Sequence, residues 1–448
     1  MNTDQGGTEP QYQALRRVLR RNDVVLLIVG GVIGSGIFLV PGSVLRQVGG
    51  SPGLALLVWL LGGVLTLLGA LTYGELGGMM PGTGGLYLYL REAFGRLPAF
   101  LYGWSLFLVI SAAAIATLAV AIGNYAGQFL PLGPVTTKLV AIGVIAVLGW
   151  SNARGTLLGV RMIEVGTALK VGALALMIVL LPLLGDGFAV VDEWWPARWD
   201  GNLAGAVGLA MIAVLWAYEG WQYATFVAGE VIEPQRNLAT GLALGTLALL
   251  VIYVLANLAY LAALGPLSLA TSERVAADAV TAVLGRGFGS LVAVVIIISM
   301  LSAAQMILLT TARVHLAMAR DGIFFAALAR LHPERGTPAR AVLALSGVAA
   351  VLAAIGSFEQ LLSAVVFTGW IFYGLGALAV PVLRRRRPEA PRPFRVPGYP
   401  LSPLLFVAAA TALVGNAVVS QPVAQTVFGL GVVATGVPAY LIWKRAGG

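Results

Sequence analysis

About twelve apolar runs of some twenty residues, separated by short polar segments, set the pattern of this chain. They fall near residues 24–45, 54–79, 97–125, 134–150, 157–184, 203–229, 238–264, 288–317, 339–356, 360–383, 401–419 and 424–443. Such lengths predict spanning helices, because a helix needs about 20 residues to cross the hydrocarbon and a barrel strand only ~9–11. Two runs are interrupted where a helix ought to continue. The first holds Val29-Gly30-Gly31-Val32-Ile33-Gly34-Ser35-Gly36-Ile37, with Pro41 beyond, and the sixth holds Trp216-Ala217-Tyr218-Glu219-Gly220-Trp221-Gln222. Unwound backbone in hydrocarbon is costly, so it is tolerated only inside protein or along a cavity.

The two interrupted runs occupy matching positions if the first ten runs form two five-helix halves. That predicts an all-α membrane protein with a 5+5 inverted repeat and a substrate site where the broken helices meet. Gly34 lies at the centre of the first break. The N–H groups freed around Ser35, Gly36 and Ile37 suit a carboxylate, and unpaired carbonyls around Val32, Ile33, Trp216, Ala217 and Glu219 suit an ammonium. Such a site is shaped for a zwitterion, which an amino acid is. A small-residue packing face through Gly30 and Gly34 is the competing reading of the first break. Trp216 is large enough to close the site from outside, or simply to pack. Lys170 stands alone in the fifth run and must face a polar interior. It is either an ammonium in the place of a coupling cation, fixed or titrating, or a tether for unwound carbonyls.

Composition agrees with the pattern. Of 448 residues 59% are hydrophobic and 10% charged, against about 25% charged in soluble domains. Mean hydropathy is +0.90. The net charge of +9 does not indicate nucleic acid, because the basic residues fall in alternate loops. Arg16, Arg17, Arg20 and Arg21 precede the first run, Lys444 and Arg445 follow the last, and Arg91, Arg96, Arg154, Arg161, Arg313 to Arg340 and Arg384 to Arg395 share their face. The other face carries Arg46, Lys138, Arg198, Arg274 and Arg286 with the acidic Asp186/Asp192/Glu193/Asp200 loop. Positive residues remain inside, so both termini are expected in the cytoplasm. No cleavable signal is evident. Cysteine is absent, which excludes disulfides, thiolate metal sites and cysteine nucleophiles. His315 and His332 lack partners at metal-ligand spacing, so no metal or cofactor is implied.

The chain divides into a cytoplasmic segment 1–22, a ten-helix core 23–383, a basic and Pro-rich linker 384–400, and a last helix pair 401–444. The linker is expected to be extended. Arg384 to Arg387 reads as a stop-transfer cluster, with anionic lipid binding as the alternative. Glu75 either gates the inner mouth or pairs with a nearby arginine. Glu230 and Glu233 read as caps or loop ion pairs. Trp194, Trp195 and Trp199 suggest an interfacial belt, and 265–287 a short amphipathic surface helix.

Several stretches resemble one family. Gly34-Ser35-Gly36-Ile37-Phe38 with Pro41 resembles the first-helix signature of the amino acid–polyamine–organocation superfamily. Glu75-Leu76-Gly77-Gly78-Met79-Met80-Pro81-Gly82-Thr83-Gly84-Gly85-Leu86-Tyr87 is similar to its loop after helix two, and Trp216-Ala217-Tyr218-Glu219-Gly220-Trp221 to helix six of its L-type and cationic amino-acid transporters. Glu230-Val231, Pro234-Gln235-Arg236-Asn237 and Ala319-Arg320-Asp321-Gly322 add further likeness. The resemblance implies a leucine-transporter-type fold and Na⁺-independent amino-acid transport. It further implies carboxylate binding at the glycine-rich break, amine binding at the helix-six break, a gate at Trp216, and Lys170 as a lysine that replaces a Na⁺ site. Gln222 stands where L-type members usually carry Asn, which leaves side-chain selectivity open. Without cysteine the disulfide to an ancillary glycoprotein of animal members cannot form. The chain therefore resembles stand-alone prokaryotic relatives of the plasma membrane.

The expected function is secondary amino-acid transport by alternating access in the lipid bilayer, as an exchanger or a symporter with H⁺ as partner ion. A polyamine or organic-cation antiporter of the same fold is the nearest alternative. A membrane enzyme would need a catalytic cluster at depth, and a channel would need a polar stripe; neither is present.

Overall fold

The computed structural model describes residues 17–127, 129–196, 201–333, 335–420 and 422–446. Arg16, Arg198, Trp199 and Asp200, on which the charge and aromatic-belt readings drew, lie outside them. Among the described residues the secondary structure is helical apart from one isolated bridge between Leu19 and Val231.

The first run forms two helices, α1 (Arg21–Val32) and α2 (Gly36–Gln47), bent by 52° at the break. Then come α3 (Pro52–Met79), the short α4 (Leu86–Phe94) and α5 (Arg96–Ser105), which passes through a π-turn at Leu106–Ile110 into α6 (Ser111–Ala126). Next are α7 (Pro134–Arg154), α8 (Thr156–Leu184), α9 (Gly201–Ala217) and the four-residue α10 (Tyr223–Phe226). The remainder is α11 (Pro234–Thr271), α12 (Val275–Leu284), α13 (Arg286–Arg320), α14 (Ala339–Ile355), α15 (Phe358–Arg386), α16 (Leu401–Ser420) and α17 (Val423–Ala446). Among the described residues nine helices are long and apolar enough to cross a membrane, ten if the bent pair counts as one span. α9 and α14, at 17 residues each, fall just short by length.

The helix boundaries lie close to the apolar runs. The sixth run is interrupted within the Trp216–Gln222 stretch: α9 stops at Ala217, Gly220 turns the backbone at φ 120°, and only the short α10 follows. Two expectations need correction. The surface helix expected in 265–287 is α12, and its Val275, Ala276, Ala277, Ala279 and Val280 are buried. The linker is not freely extended: it folds back onto α3, where the Val396 N–H donates to Glu75 at 2.7 Å.

Packing follows the rule for membranes, where small residues let helices approach closely. α3 lies along α11, α1 sits between α11 and α13, and α8 packs against α13. Residues 17–20 are pinned to the segment after α10, with the Val18 and Leu19 N–H groups donating to the Glu230 carbonyl at 2.8 and 3.0 Å.

Candidate substrate-binding site

The break between α1 and α2 is built by glycines with different tasks. A side-chain carbon at Gly30 would meet Thr167 Oγ1 at 2.3 Å, and one at Gly31 would meet Met306 Cε at 1.9 Å. These two serve close packing against α8 and α13. Gly34, in the unwound part, and Gly36, the first residue of α2, line a cavity with Gly31, Val32 and Ser35. Gly30 thus packs against a neighbouring helix, while Gly31 both packs and borders the cavity.

Gly36 is the point where the two breaks touch. An added Cβ there would lie 2.4 Å from Ala217 Cα, a backbone atom that has no rotamer to escape into. At Gly34 the nearest atoms are side-chain ones, Leu118 Cδ2 at 3.3 Å and Ala303 Cβ at 3.6 Å. Overpacking costs about 1–3 kcal/mol, so Gly36→Ala is expected to lower substrate uptake at least about tenfold. Gly34→Ala should do less. Initial uptake rates of the two purified variants in liposomes check this ordering.

Around the break the backbone polar groups divide by sign. The N–H groups of Ser35, Gly36 and Ile37 find no acceptor among the described residues, as expected for the first turn of a helix without a side-chain cap. The carbonyls are different. Lys170 Nζ, fully buried on α8, donates to the Gly30 carbonyl at 2.5 Å, the Ile33 carbonyl at 2.8 Å and Ser302 Oγ at 2.9 Å. Ser299 Oγ donates to the same Ile33 carbonyl at 3.1 Å. Tyr253 of α11 reaches both breaks, with its hydroxyl 3.2 Å from the Val32 carbonyl and 2.9 Å from that of Ala217. The Trp216 carbonyl accepts from the Glu219 N–H at 3.0 Å.

Glu219 enters through its side chain. One carboxylate oxygen accepts from Gln222 Nε2 at 2.5 Å and from Tyr373 Oη at 2.6 Å, and these two donors lie 2.7 Å apart. The residue borders the cavity, which is about 20 Å³ in volume and is walled elsewhere by Ala114, Leu118, Tyr223, Ala303 and Ile307. Trp216 lines it too, with its indole N–H 3.3 Å from Ser35 Oγ. Beyond, the Trp216 ring meets Phe358 edge-on at 6.5 Å. Phe358 in turn borders a wide cavity of about 1080 Å³ that also takes in Arg46, Glu273, Arg274, Asp278 and Glu359.

At the opposite end of the helices, ion pairs close the molecule. Arg313 Nε contacts Glu230 at 2.6 Å, Arg91 and Tyr87 both reach Asp321, and Arg384 grips Glu75 through two bonds of 2.8 and 2.7 Å. Glu233 makes no side-chain cap at the start of α11.

Of the expected site residues, Val32, Gly34, Ser35, Gly36, Trp216 and Glu219 line the cavity, whereas Ile33, Ile37, Ala217 and Lys170 do not, Lys170 and Tyr253 instead holding the Ile33 and Ala217 carbonyls. Sequence reasoning missed Tyr253, Ser299, Ser302, Tyr373 and the cavity walls on α6 and α13. A tyrosine in an apolar run carries one usable signal, since its hydroxyl needs a partner there.

A cavity bordered by both broken helices, with Ser35 and Gly36 on one side and the Glu219 carboxylate on the other, suits a small polar solute. Comparison with known proteins narrows this. A family model described as amino acid permease matches residues 20–437, and the chain belongs to that family. It is 31% identical over 444 residues to the Asc-type amino acid transporter 1 of Mus musculus, covering 96% of this chain and 81% of that one. It is 32% identical over 425 residues to the large neutral amino acids transporter small subunit 2 of Rattus norvegicus, covering 93% and 78%. With the b(0,+)-type amino acid transporter 1 of Rattus norvegicus it shares 30% over 443 residues, covering 97% and 90%. The chain is a multi-span amino-acid transporter of the L-type and Asc kind, and not an enzyme.

Proposed function

We propose that the protein carries amino acids by alternating access on a 5+5 inverted repeat of about twelve spans, without Na⁺, as an exchanger or a proton symporter. Both termini face the cytoplasm of a prokaryotic cell, and the chain works without a disulfide-linked partner. One observation carries the reading: residues Ser35 and Gly36, whose N–H groups are free, and Glu219 border one small cavity. A zwitterion matches both ends, whereas a polyamine would leave the N–H groups unused. Lys170 supports Na⁺ independence, since its ammonium already holds the carbonyls of the first break. The walls of Ala114, Leu118, Ala303 and Ile307 favour a compact apolar side chain. The wide cavity on one side of Trp216 and the ion pairs on the other support an outward-facing state closed at the cytoplasmic end.

The purified protein in liposomes tests this. Uptake of radiolabelled amino acids should be unchanged when Na⁺ is replaced by choline. Uptake confined to vesicles preloaded with unlabelled amino acid means exchange, and uptake driven by an inward proton gradient into empty vesicles means symport. Amides of the same amino acids should be poor substrates. No amino-acid uptake under either condition, with polyamine uptake instead, would overturn the reading.

A further inference from the structure

We propose that a bilayer-facing groove between α8, α12 and α13 holds one acyl chain of an anionic phospholipid, whose phosphate pairs with Arg286. The groove is separate from the substrate cavity and shares no lining residue with it.

The way α8 and α13 meet creates the groove. Near Gly166 the two helices are in close contact, and an added Cβ there would lie 2.5 Å from Ser302 Cβ. Six residues further along α8 the surroundings are the opposite, since a Cβ at Gly172 would meet no atom within 4 Å. The helices part here, and α12 lines the opening only with Val280 and Leu284. What remains is a cavity of about 440 Å³, walled on α8 by Ala168, Gly172 and Leu176 among others and on α13 by Phe288, Leu291 and Val295 among others. None of its lining residues is polar. Along α8 the lining runs from Ala168 to Leu181, about 20 Å at 1.5 Å per residue. That exceeds one leaflet's half of a hydrocarbon core about 30 Å thick. Leu176, Phe288 and Leu291 are exposed, so the groove opens outward from the helix bundle. In a multi-span membrane protein the medium there is lipid.

Hydrocarbon alone selects nothing, because lipid tails are as apolar as leucine. Shape and charge do select. Groove walls without a partner forfeit dispersion contacts, and a slender, flexible chain can follow a groove of this length. The charge comes from Arg286, which lies between the groove residues Leu284 and Phe288 in sequence. It opens α13, whose other end leads to the Asp321 contact with Arg91. Arg286 is exposed, and among the described residues it forms no ion pair. The other described basic residues of that face are committed elsewhere. Arg46 and Lys138 donate to the Ala270 and Ala354 carbonyls, and Arg274 borders the wide cavity. Beside Arg286, an added Cβ at Gly285 or Gly287 would meet no atom within 4 Å, which leaves room for a headgroup. A guanidinium holds a phosphate through parallel N–H donors. A zwitterionic headgroup brings its own cation to compete for that phosphate, and an anionic one does not.

The test uses the full chain in liposomes with two phospholipids, phosphatidylglycerol and phosphatidylcholine, each carrying a diazirine at the end of one acyl chain. After illumination the crosslinked peptides are mapped by mass spectrometry. Labelling of the exposed apolar residues of α16 and α17 gives the reference for lipid that merely surrounds the protein. In the wild type, residues 168–181 and 288–295 should be labelled above that reference. Phosphatidylglycerol should label them about fivefold more than phosphatidylcholine, the worth of one basic residue near a membrane surface. Arg286→Ala should bring the two lipids level. Gly172→Leu, which fills open space, should lower groove labelling by both lipids to the reference. Both substitutions change exposed positions, and unchanged labelling of α16 and α17 shows that the variants are folded and inserted. Equal labelling by the two lipids in the wild type would overturn the proposal. So would a preference that survives Arg286→Ala, or groove labelling that survives Gly172→Leu. Labelling is independent of the solute carried, so this outcome and the transport reading stand or fall separately.

Discussion

Lys170→Met is expected to lower amino-acid uptake about 100-fold or more while the protein still reaches the membrane and purifies as a soluble detergent complex. Methionine has nearly the length of lysine and fills the same space, so the substitution removes an ammonium without opening a cavity. What remains is a bookkeeping fault at the break. The Gly30 carbonyl loses its donor, Ile33 keeps only Ser299, and Ser302 loses a partner. A buried acceptor left unmade costs about 1–3 kcal/mol. Two such acceptors would amount to a bias of about 30-fold to about 20,000-fold against the unwound geometry. Winding back toward helix is the obvious escape, and it would consume the free N–H groups that face the substrate. The loss should therefore fall on transport first. Initial rates in liposomes, normalised to protein by gel, measure it. Uptake within a few-fold of wild type would mean that the unwound backbone holds itself without Lys170.

Much of the fold was legible because twenty apolar residues in succession leave the backbone no alternative to a spanning helix. The breaks were legible for the converse reason: Gly34-Ser35-Gly36 and Glu219-Gly220 are poor continuations of a membrane helix. The partners of those breaks were not. Tyr253 lies 221 residues from Val32, and Ser299 lies 266 residues from Ile33, so their meeting depends on how α11 and α13 pack around α1. Nothing local to either residue announces it. The length of α10 was also hidden, since residues 218–229 are apolar enough to read as helix while the positive φ of Gly220 prevents it. The linker misled in another way. Its prolines and arginines have the composition of a solvated strap, yet Arg392 bonds the carbonyls of Leu383, Arg387, Pro388 and Ala390 and gives the strap a fixed shape.

That strap makes Glu75 the second position of large expected effect. Its carboxylate is 1% exposed and takes two bonds from Arg384 of α15, one from the Val396 N–H, and a longer contact from Arg392 at 3.7 Å. The Arg384 guanidinium also lies over the Tyr399 ring at 3.7 Å. Three pieces of the chain thus converge on one charge: the end of α3, the end of α15 and the linker. Removing one partner of a buried ion pair costs about 3–5 kcal/mol, because the other is left buried and unpaired. Glu75→Ala is expected to lower the melting temperature by about 3–5 °C, on the usual entropy of unfolding per residue for a chain of this size. The linker should register the change more sharply than global melting does. The strap's trypsin site is the Arg395–Val396 bond, since Arg387 and Arg392 precede prolines, and undocking the strap should speed cleavage there about tenfold or more. Arg384→Ala should do the same, and the double variant should cost less than the sum, since both remove one shared interaction. Equal cleavage rates in Glu75→Ala and wild type would mean that the strap is held by Arg392 and its carbonyls alone.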